Sequence, residues 1–313
     1  MLLIDEINLL FSHQMQDWQM VRENYAALDN LLTRELWLRD SEGKPCSRII
    51  LQHNPARVRS TAADLSPEAI KARPCFLCDI NQPSQQQAVL WKSNERKVWY
   101  KIQVNPYPIF KRHLTVSLVK HKPQLCYRTD MMELAKLMPE HVIMFNGVGC
   151  GASAPDHMHF QATYRSELPL CQELASRTDI GLDSCYGDHN LWMDNAFGRQ
   201  LIYIRTGLIN SAIVSDMFIA LYSWRRNALC WFEDDIWHFV IFPRTHDRPS
   251  CYGEDEGQYL VSPAAAEYGG VWVLPRKEDF ERLDSPTISS FFKELSCNDD
   301  DMSSLYYNYA RVN

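Results

Sequence analysis

The chain is 313 residues long, enough for two ordinary domains or one large one, and is 46% hydrophobic and 12% aromatic, which excludes global disorder. Its net charge of −7 argues against a nucleic-acid backbone as partner, because such binders carry a basic face. Small anionic substrates stay open, since a pocket needs only a few local Arg or Lys.

The first residues, MLLIDEINLLFSHQMQDW, suit an amphipathic helix through Leu2, Leu3, Ile7, Leu9, Leu10 and Phe11. Asp5 and Glu6 interrupt the apolar run and no basic segment precedes it, so no signal peptide is expected. Residues 1 to about 40 read as helical, within an N-terminal region 1–46. SRIILQHNPARV (47–58) reads as a strand entering a turn at Asn54-Pro55. LSPEAIKAR (65–73) reads as a short helix capped by Ser66, with Pro67 in its first turn. KVWYKIQVNPYPI (97–109) is a strand broken at Pro106 and Pro108, and RHLTVSLVKH (112–121) alternates Leu114, Val116 and Leu118 against Thr115 and Ser117. TDMMELAKLM (129–138) is a helix with Thr129 or Asp130 as cap; HVIMFNG (141–147) and HMHFQATY (157–164) are strands. The expected fold class is α+β, with helices on an antiparallel meander.

Past residue 170 the pattern resumes: QLIYIRT (200–206) as strand, SAIVSDMFIALYSW (211–224) as helix, and a hairpin over 228–244 turning at Glu233-Asp234-Asp235. GGVWVLP (269–275) is a last strand and 286–295 a helix. HLTVSLVKHKP (113–123) is echoed by HFVIFPRTHDRP (238–249), each with two His bracketing an apolar strand, which suggests two repeats of one fold. The expected division is 1–46, a catalytic half at 47–170 and a second half at 171–313. No stretch is apolar enough to span a membrane, and eight of the ten cysteines are scattered singly, as in a reduced cytoplasmic protein.

Residues two apart on a strand share a face. His157, His159 and Gln161 therefore line one face of their strand while Met158 and Phe160 enter the core. A neutral imidazole, with a pKa of ~6.5, can attack an electrophile at neutral pH without a separate base. At phosphorus it gives a phosphoramidate, suited to transfer between two phosphate acceptors. An uncharged Gln can donate to a phosphoryl oxygen.

Cys75-Phe-Leu-Cys78 is a CxxC, and zinc takes four ligands. His121 closes one strand and His157 opens another, so both can lie at one end of a sheet, whereas His113 sits at the far start of its strand. A structural zinc site on Cys75, Cys78, His121 and His157 is expected. No βαβ unit surrounds the CxxC to favour a thioredoxin-like reading.

These motifs resemble the histidine-triad (HIT) superfamily, in the branch of galactose-1-phosphate uridylyltransferases, diadenosine tetraphosphate phosphorylases and GDP-hexose phosphorylases. The resemblance covers residues 54–164, with a fainter match beyond. It makes His159 the nucleophile that takes the nucleoside monophosphate, with Gln161 beside it. FNGVGCGA (145–152) resembles the family's Asn-Gly-rich loop, which implies substrate contacts from Asn146, Gly147, Gly151 and Ser153. The uridylyltransferases carry zinc on a set that maps onto Cys75, Cys78, His121 and His157. HMHFQATY is nearest the GDP-hexose phosphorylase form, in which that zinc is not expected, so the chain mixes two subfamilies. It also departs from the Ser-x-Pro-His of many relatives: Ser153-Ala-Pro155-Asp156-His157 is one residue longer. Asp156 sets a negative charge beside the phosphate site unless it orients another side chain.

The resemblance implies a nucleotidyltransferase or phosphorylase that moves a nucleoside monophosphate from a nucleotide sugar or dinucleotide to phosphate or a sugar phosphate. Arg57, Lys111, Arg112, Arg244 and Arg248 are the candidate phosphate-binding cations. The alternatives are a HIT-type hydrolase, and a zinc-stabilised nucleotide-binding protein whose chemistry Asp156 spoils. No nucleic acid or membrane is expected as partner; a homodimer is allowed, and the sequence leaves base, sugar and oligomeric state open.

Overall fold

The computed structural model describes residues 2–176, 183–186, 189–194, 197–221 and 224–312, with the backbone alone described at 183–186, 189–194 and 306–312. Two helices open the chain, α1 (Leu3–Asp17) and α2 (Gln19–Ala27). Helix α1 buries Ile7, Leu10 and Gln14, one stripe at helical spacing. The helical reading does not extend to residue 40: Leu32–Arg39 is a strand, β1, paired antiparallel with β2 (Pro45–His53). Its inward residues Arg34, Leu36 and Leu38 alternate with exposed Thr33, Glu35 and Trp37. The turn between the strands is closed by the Asp40 carboxylate, which accepts from the Glu42 and Lys44 amides, and by Gly43 at φ +79°.

The chain continues through α3 (Val58–Thr61), α4 (Pro67–Ala72), β3 (Val89–Lys92), β4 (Trp99–Val104), β5 (Leu114–Leu118), α5 (Arg128–Leu137), β6 (His141–Asn146), β7 (His159–Tyr164) and α6 (Pro169–Ser176). Ser66 caps α4, its hydroxyl accepting from the Ala69 amide at 3.2 Å. Helix α5 is capped by neither Thr129 nor Asp130. Its N-cap is Tyr127, and Asp130 is buried, accepting from the Tyr100 and Ser93 hydroxyls at 2.6 Å each. The second half carries β8 (Asp183–Tyr186), β9 (His189–Asp194), β10 (Leu201–Thr206), α7 (Ala212–Ala220), β11 (Arg225–Glu233), β12 (Ile236–Arg244), α8 (Ala265–Tyr268), β13 (Val271–Leu274), α9 (Lys277–Arg282), α10 (Ser285–Leu295) and α11 (Asp299–Val312). Asp234 and Asp235 turn the β11–β12 hairpin, both at positive φ, as a two-residue primed turn requires.

Ten strands form one sheet in the order β3-β4-β5-β7-β6-β11-β12-β10-β9-β8, and β1-β2-β13 form a second. The large sheet is antiparallel, and β6 pairs with β11 at its middle, Asn146 opposite Asn227. One face of it is covered by α1, α5 and α7, in a core holding Ile7, Met131, Phe160 and Phe239. The other packs on the small sheet with α6, α8 and α10, around Met144, Trp231, Tyr268 and Trp272. This is the expected α+β class. The two His-bracketed segments that echo one another fall on β5 and β12, which are not corresponding strands: β5 is third from its edge of the sheet and β12 fourth. Among the described residues no helix is long and apolar enough to cross a membrane.

Candidate active site

Strand β7 is anchored by Phe160 and Ala162, fully buried beneath the helices, so His159 and Gln161 project to the opposite face. Both line a cavity of about 490 Å³. His157 precedes the strand, and its ring turns to the two cysteines instead of the cavity.

The ring of His159 is fixed at one nitrogen. Nδ1–H donates to the His157 carbonyl at 2.9 Å, which leaves Nε2 as the unprotonated nitrogen. Its backbone is clamped by the Gln124 amide, which accepts from the His159 N–H at 2.8 Å and donates to its carbonyl at 2.9 Å. Burial pulls the imidazole pKa down to about 4, so the ring is neutral at physiological pH. A neutral imidazole of fixed tautomer beside a cavity is a ready nucleophile.

Gln161 is held by a residue whose part was not read from the sequence. His113 is buried, and its Nδ1 accepts from the Ile109 amide at 3.3 Å. Its Nε2 therefore carries the proton and donates to Gln161 Oε1 at 2.9 Å. With the oxygen so engaged, the Gln161 NH₂ is the end left for a ligand.

Three arginines line the cavity: Arg57, one of the candidate cations, and Arg59 and Arg73, which sequence reasoning passed over. Trp18, Phe76 and Tyr107 supply aromatic surface, and Ser153 reaches it from the loop before β7. Gln14 ties α1 to the wall, donating to the Gln85 carbonyl at 2.9 Å and accepting from the Gln87 amide at 3.2 Å. Lys101 is a further buried cation on the same sheet face, directly across β5 from His159 in the row Lys101–Ser117–His159. Its ammonium pairs with Asp79 and lies 3.2 Å from Gln82 Oε1.

At the head of β7, Cys75, Cys78, His121 and His157 bring four ligand atoms within 4.8 Å of one another, a cluster that could hold a metal ion. Cys75 Sγ is 3.2 Å and Cys78 Sγ 3.6 Å from His157 Nδ1, and Cys78 Sγ is 3.2 Å from His121 Nδ1. Tetrahedral bonds of ~2.0–2.3 Å imply ligand-to-ligand edges of roughly 3.3–3.8 Å, close to these three separations, and two thiols with two imidazoles are a donor set that zinc takes. His157 Nε2 donates to the Leu118 carbonyl at 2.8 Å, which sets its tautomer so that Nδ1 is the free ligand atom.

Several expected substrate contacts lie elsewhere. Asn146 is a buried tie, its Oδ1 accepting from Asn227 Nδ2 at 2.9 Å and from the Ala265 amide at 2.8 Å. Gly147 gives the close approach of β6 to β11: a Cβ there would sit 2.6 Å from the Arg226 carbonyl oxygen. Gly151, at φ +78°, donates its N–H to Asp247. Arg244 is fully buried, spending its guanidinium on Asn227 and on the carbonyls of Pro263, His246 and Asp247. Arg248 donates to the carbonyls of Thr61 and Ala63, bracing the cavity wall from behind. Lys111 pairs with Asp29 at the surface, and Arg112 stacks over Phe11 and bonds Asn8. A polar or basic residue near a Gly-rich segment reads alike whether it meets a ligand or braces a chain crossing.

A protein family described as Domain of unknown function (DUF4922) matches residues 10–164, just under half of the chain. No curated protein sequence matches. Among solved structures, yeast Ap4A phosphorylase Apa2 in complex with AMP aligns over 89% of this chain and 95% of its own, at 14% identity and a TM-score of 0.53. Its complex with Ap4A aligns over 89% and 96%, at 14% identity and a TM-score of 0.54. The likeness establishes the fold, an α+β architecture shared with that phosphorylase over most of both chains.

Proposed function

We propose that the protein is a phosphorylase or nucleotidyltransferase that moves a nucleoside monophosphate through His159, with a dinucleoside polyphosphate as the first substrate to test. The observation that carries this reading is the His159 ring, pinned at Nδ1 with Nε2 free beside the Gln161 amide and the arginine-lined cavity. The fold shared with a phosphorylase crystallised with AMP and with Ap4A supports it.

In the proposed reaction Nε2 attacks the α-phosphorus in line. A nitrogen–phosphorus bond forms as the bond to the bridging oxygen breaks, and the leaving group departs as a nucleoside polyphosphate or a sugar phosphate. Charge gathers on the non-bridging oxygens, where the Gln161 NH₂ donates and Arg57 and Arg73 add positive charge. Orthophosphate then attacks from the other side, restoring the imidazole and yielding a nucleoside diphosphate. That acceptor is already anionic and needs no strong base, which suits Gln161 over a third histidine. Zinc on Cys75, Cys78, His121 and His157 would be structural: it would hold His157, whose carbonyl orients the His159 ring.

Against the rival in which Asp156 spoils the site, the pairing of that carboxylate with Arg73 at 2.8 Å supports the catalytic reading. We read the halves β3-β4-β5-β7-β6 and β8-β9-β10-β12-β11 as two repeats; the matching strand order, with α5 and α7 at the same point of each, supports this. Buried single thiols such as Cys126, Cys150, Cys171, Cys230 and Cys297 support a reducing, cytoplasmic setting.

The test is incubation with Ap4A and a panel of nucleotide sugars, with and without orthophosphate. Phosphate-dependent conversion of Ap4A to ADP and ATP is the expected result. Phosphate-independent release of AMP would make the protein a hydrolase, and binding without turnover would remove the catalytic reading.

A further inference from the structure

Asp156 is the residue that makes the loop before β7 one longer than the Ser-x-Pro-His pattern, and its carboxylate faces two ways. Oδ1 accepts from Arg73 at 2.8 Å, and Oδ2 lies 3.9 Å from His121 Nε2, inside ion-pair range. The other nitrogen of that imidazole, Nδ1, is the one turned to Cys78 Sγ. Arg73 lines the cavity with His159 and Gln161, stacks over Phe76 with 5.1 Å to the ring centroid, and donates through its NH2 nitrogen to Asp156 and the Ser153 carbonyl. The other terminal nitrogen, NH1, is buried without a partner. A buried guanidinium edge left unpaired beside a cavity lacks an acceptor that a phosphoryl oxygen would supply.

We propose that Asp156 couples the metal centre to the nucleotide cavity, acting through Arg73 as a positioning residue for the phosphate. The inference rests on the nucleotide reading of the cavity given above. A metal held at His121 Nδ1 fixes the ring's rotation and leaves Nε2 as an N–H aimed at Asp156. That donor steadies one carboxylate oxygen, and the other steadies Arg73 with NH1 free for phosphate. Reciprocity of linkage then requires a bound nucleotide phosphate to tighten the metal by the same factor that the metal tightens the nucleotide.

The experiment measures zinc affinity of the full chain by competition with a chromophoric chelator, with and without saturating AMP, while calorimetry follows AMP binding to the zinc-loaded protein. In the wild type AMP should tighten zinc about tenfold, within the usual range of coupling between sites. Asp156→Asn should still take up zinc but show less than a twofold response to AMP. Arg73→Gln leaves the ligands and Asp156 in place and should lose the response too, so the coupling can be read even if Asp156→Asn folds poorly. Full tightening in either variant overturns the coupling, as does a wild type that binds AMP with no change in zinc affinity. In that last case the proposed function stands. A protein that binds no AMP in any form would refute the nucleotide reading, and this inference with it.

Discussion

His113 Nε2 donates to Gln161 Oε1 at 2.9 Å, and this bond decides which end of the Gln161 amide is left free at the cavity. The Ile109 N–H engages the other imidazole nitrogen, so the direction of donation is set by the backbone. Replacing His113 therefore releases the amide to rotate and present its oxygen to an anion.

His113→Ala should lower kcat on the order of tenfold, and Gln161→Ala on the order of 10²-fold, the scale of one hydrogen bond to developing charge. If His113 acts through Gln161, the double variant should be no slower than Gln161→Ala alone. Steady-state rates of the four proteins check this; additive losses would mean that His113 has a separate role.

The metal cluster carries a stability prediction. Purified protein should hold about one equivalent of zinc, and Cys75→Ala should lose metal and stability together, because binding energy at such a site is folding energy. Metal analysis with thermal unfolding measures both. Unchanged stability after exhaustive chelation would contradict a structural role.

Acid should weaken the fold before it weakens the carboxylates. Burial depresses His113 to about 3, His141 to about 4 and His238 to about 3. Their unfolded values lie near 6.5, so between pH 6.5 and 4 the unfolded chain binds protons that the folded one refuses. Stability then falls with falling pH, by up to about 1.4 kcal/mol per unit for each histidine. Glu267, raised by burial to about 7, runs the other way, its protonated form favouring the fold as pH drops from 7 toward its ordinary range. Three histidines outweigh one glutamate. Urea midpoints should drop between pH 7 and pH 5, and a flat profile would refute the assignment.

How much of this was legible in the sequence depended on periodicity. Phe160 and Ala162 alternate with His159 and Gln161, so which side chains share a face of β7 follows from spacing alone. The His121 and His157 positions at strand ends likewise anticipate a cluster with the CxxC. Strand β1 was hidden because Leu32 to Arg39 continues an apolar, charged run from the helices before it, and the turn signal at Asp40–Gly43 comes only after it. Arg59 and Arg73 sit outside the strands, where no period tells which way a side chain points. Arg244 and Asn146 show the converse: both are polar, in suggestive places, and committed to holding chain segments together. The partnership of His113 with Gln161 spans 48 residues and needs the β5–β7 pairing to become visible.

The most direct test of the central claim is covalent labelling with an α-phosphate-labelled dinucleotide or nucleotide sugar, without phosphate. The wild type should retain an acid-labile, base-stable label, the signature of a nitrogen–phosphorus bond. His159→Asn keeps a small polar side chain on the same sheet face and should fold, yet retain no label and show no turnover. If the His159→Asn protein labels as well as the wild type, or turns over at an unchanged rate, His159 is not the nucleophile and the proposed chemistry is wrong.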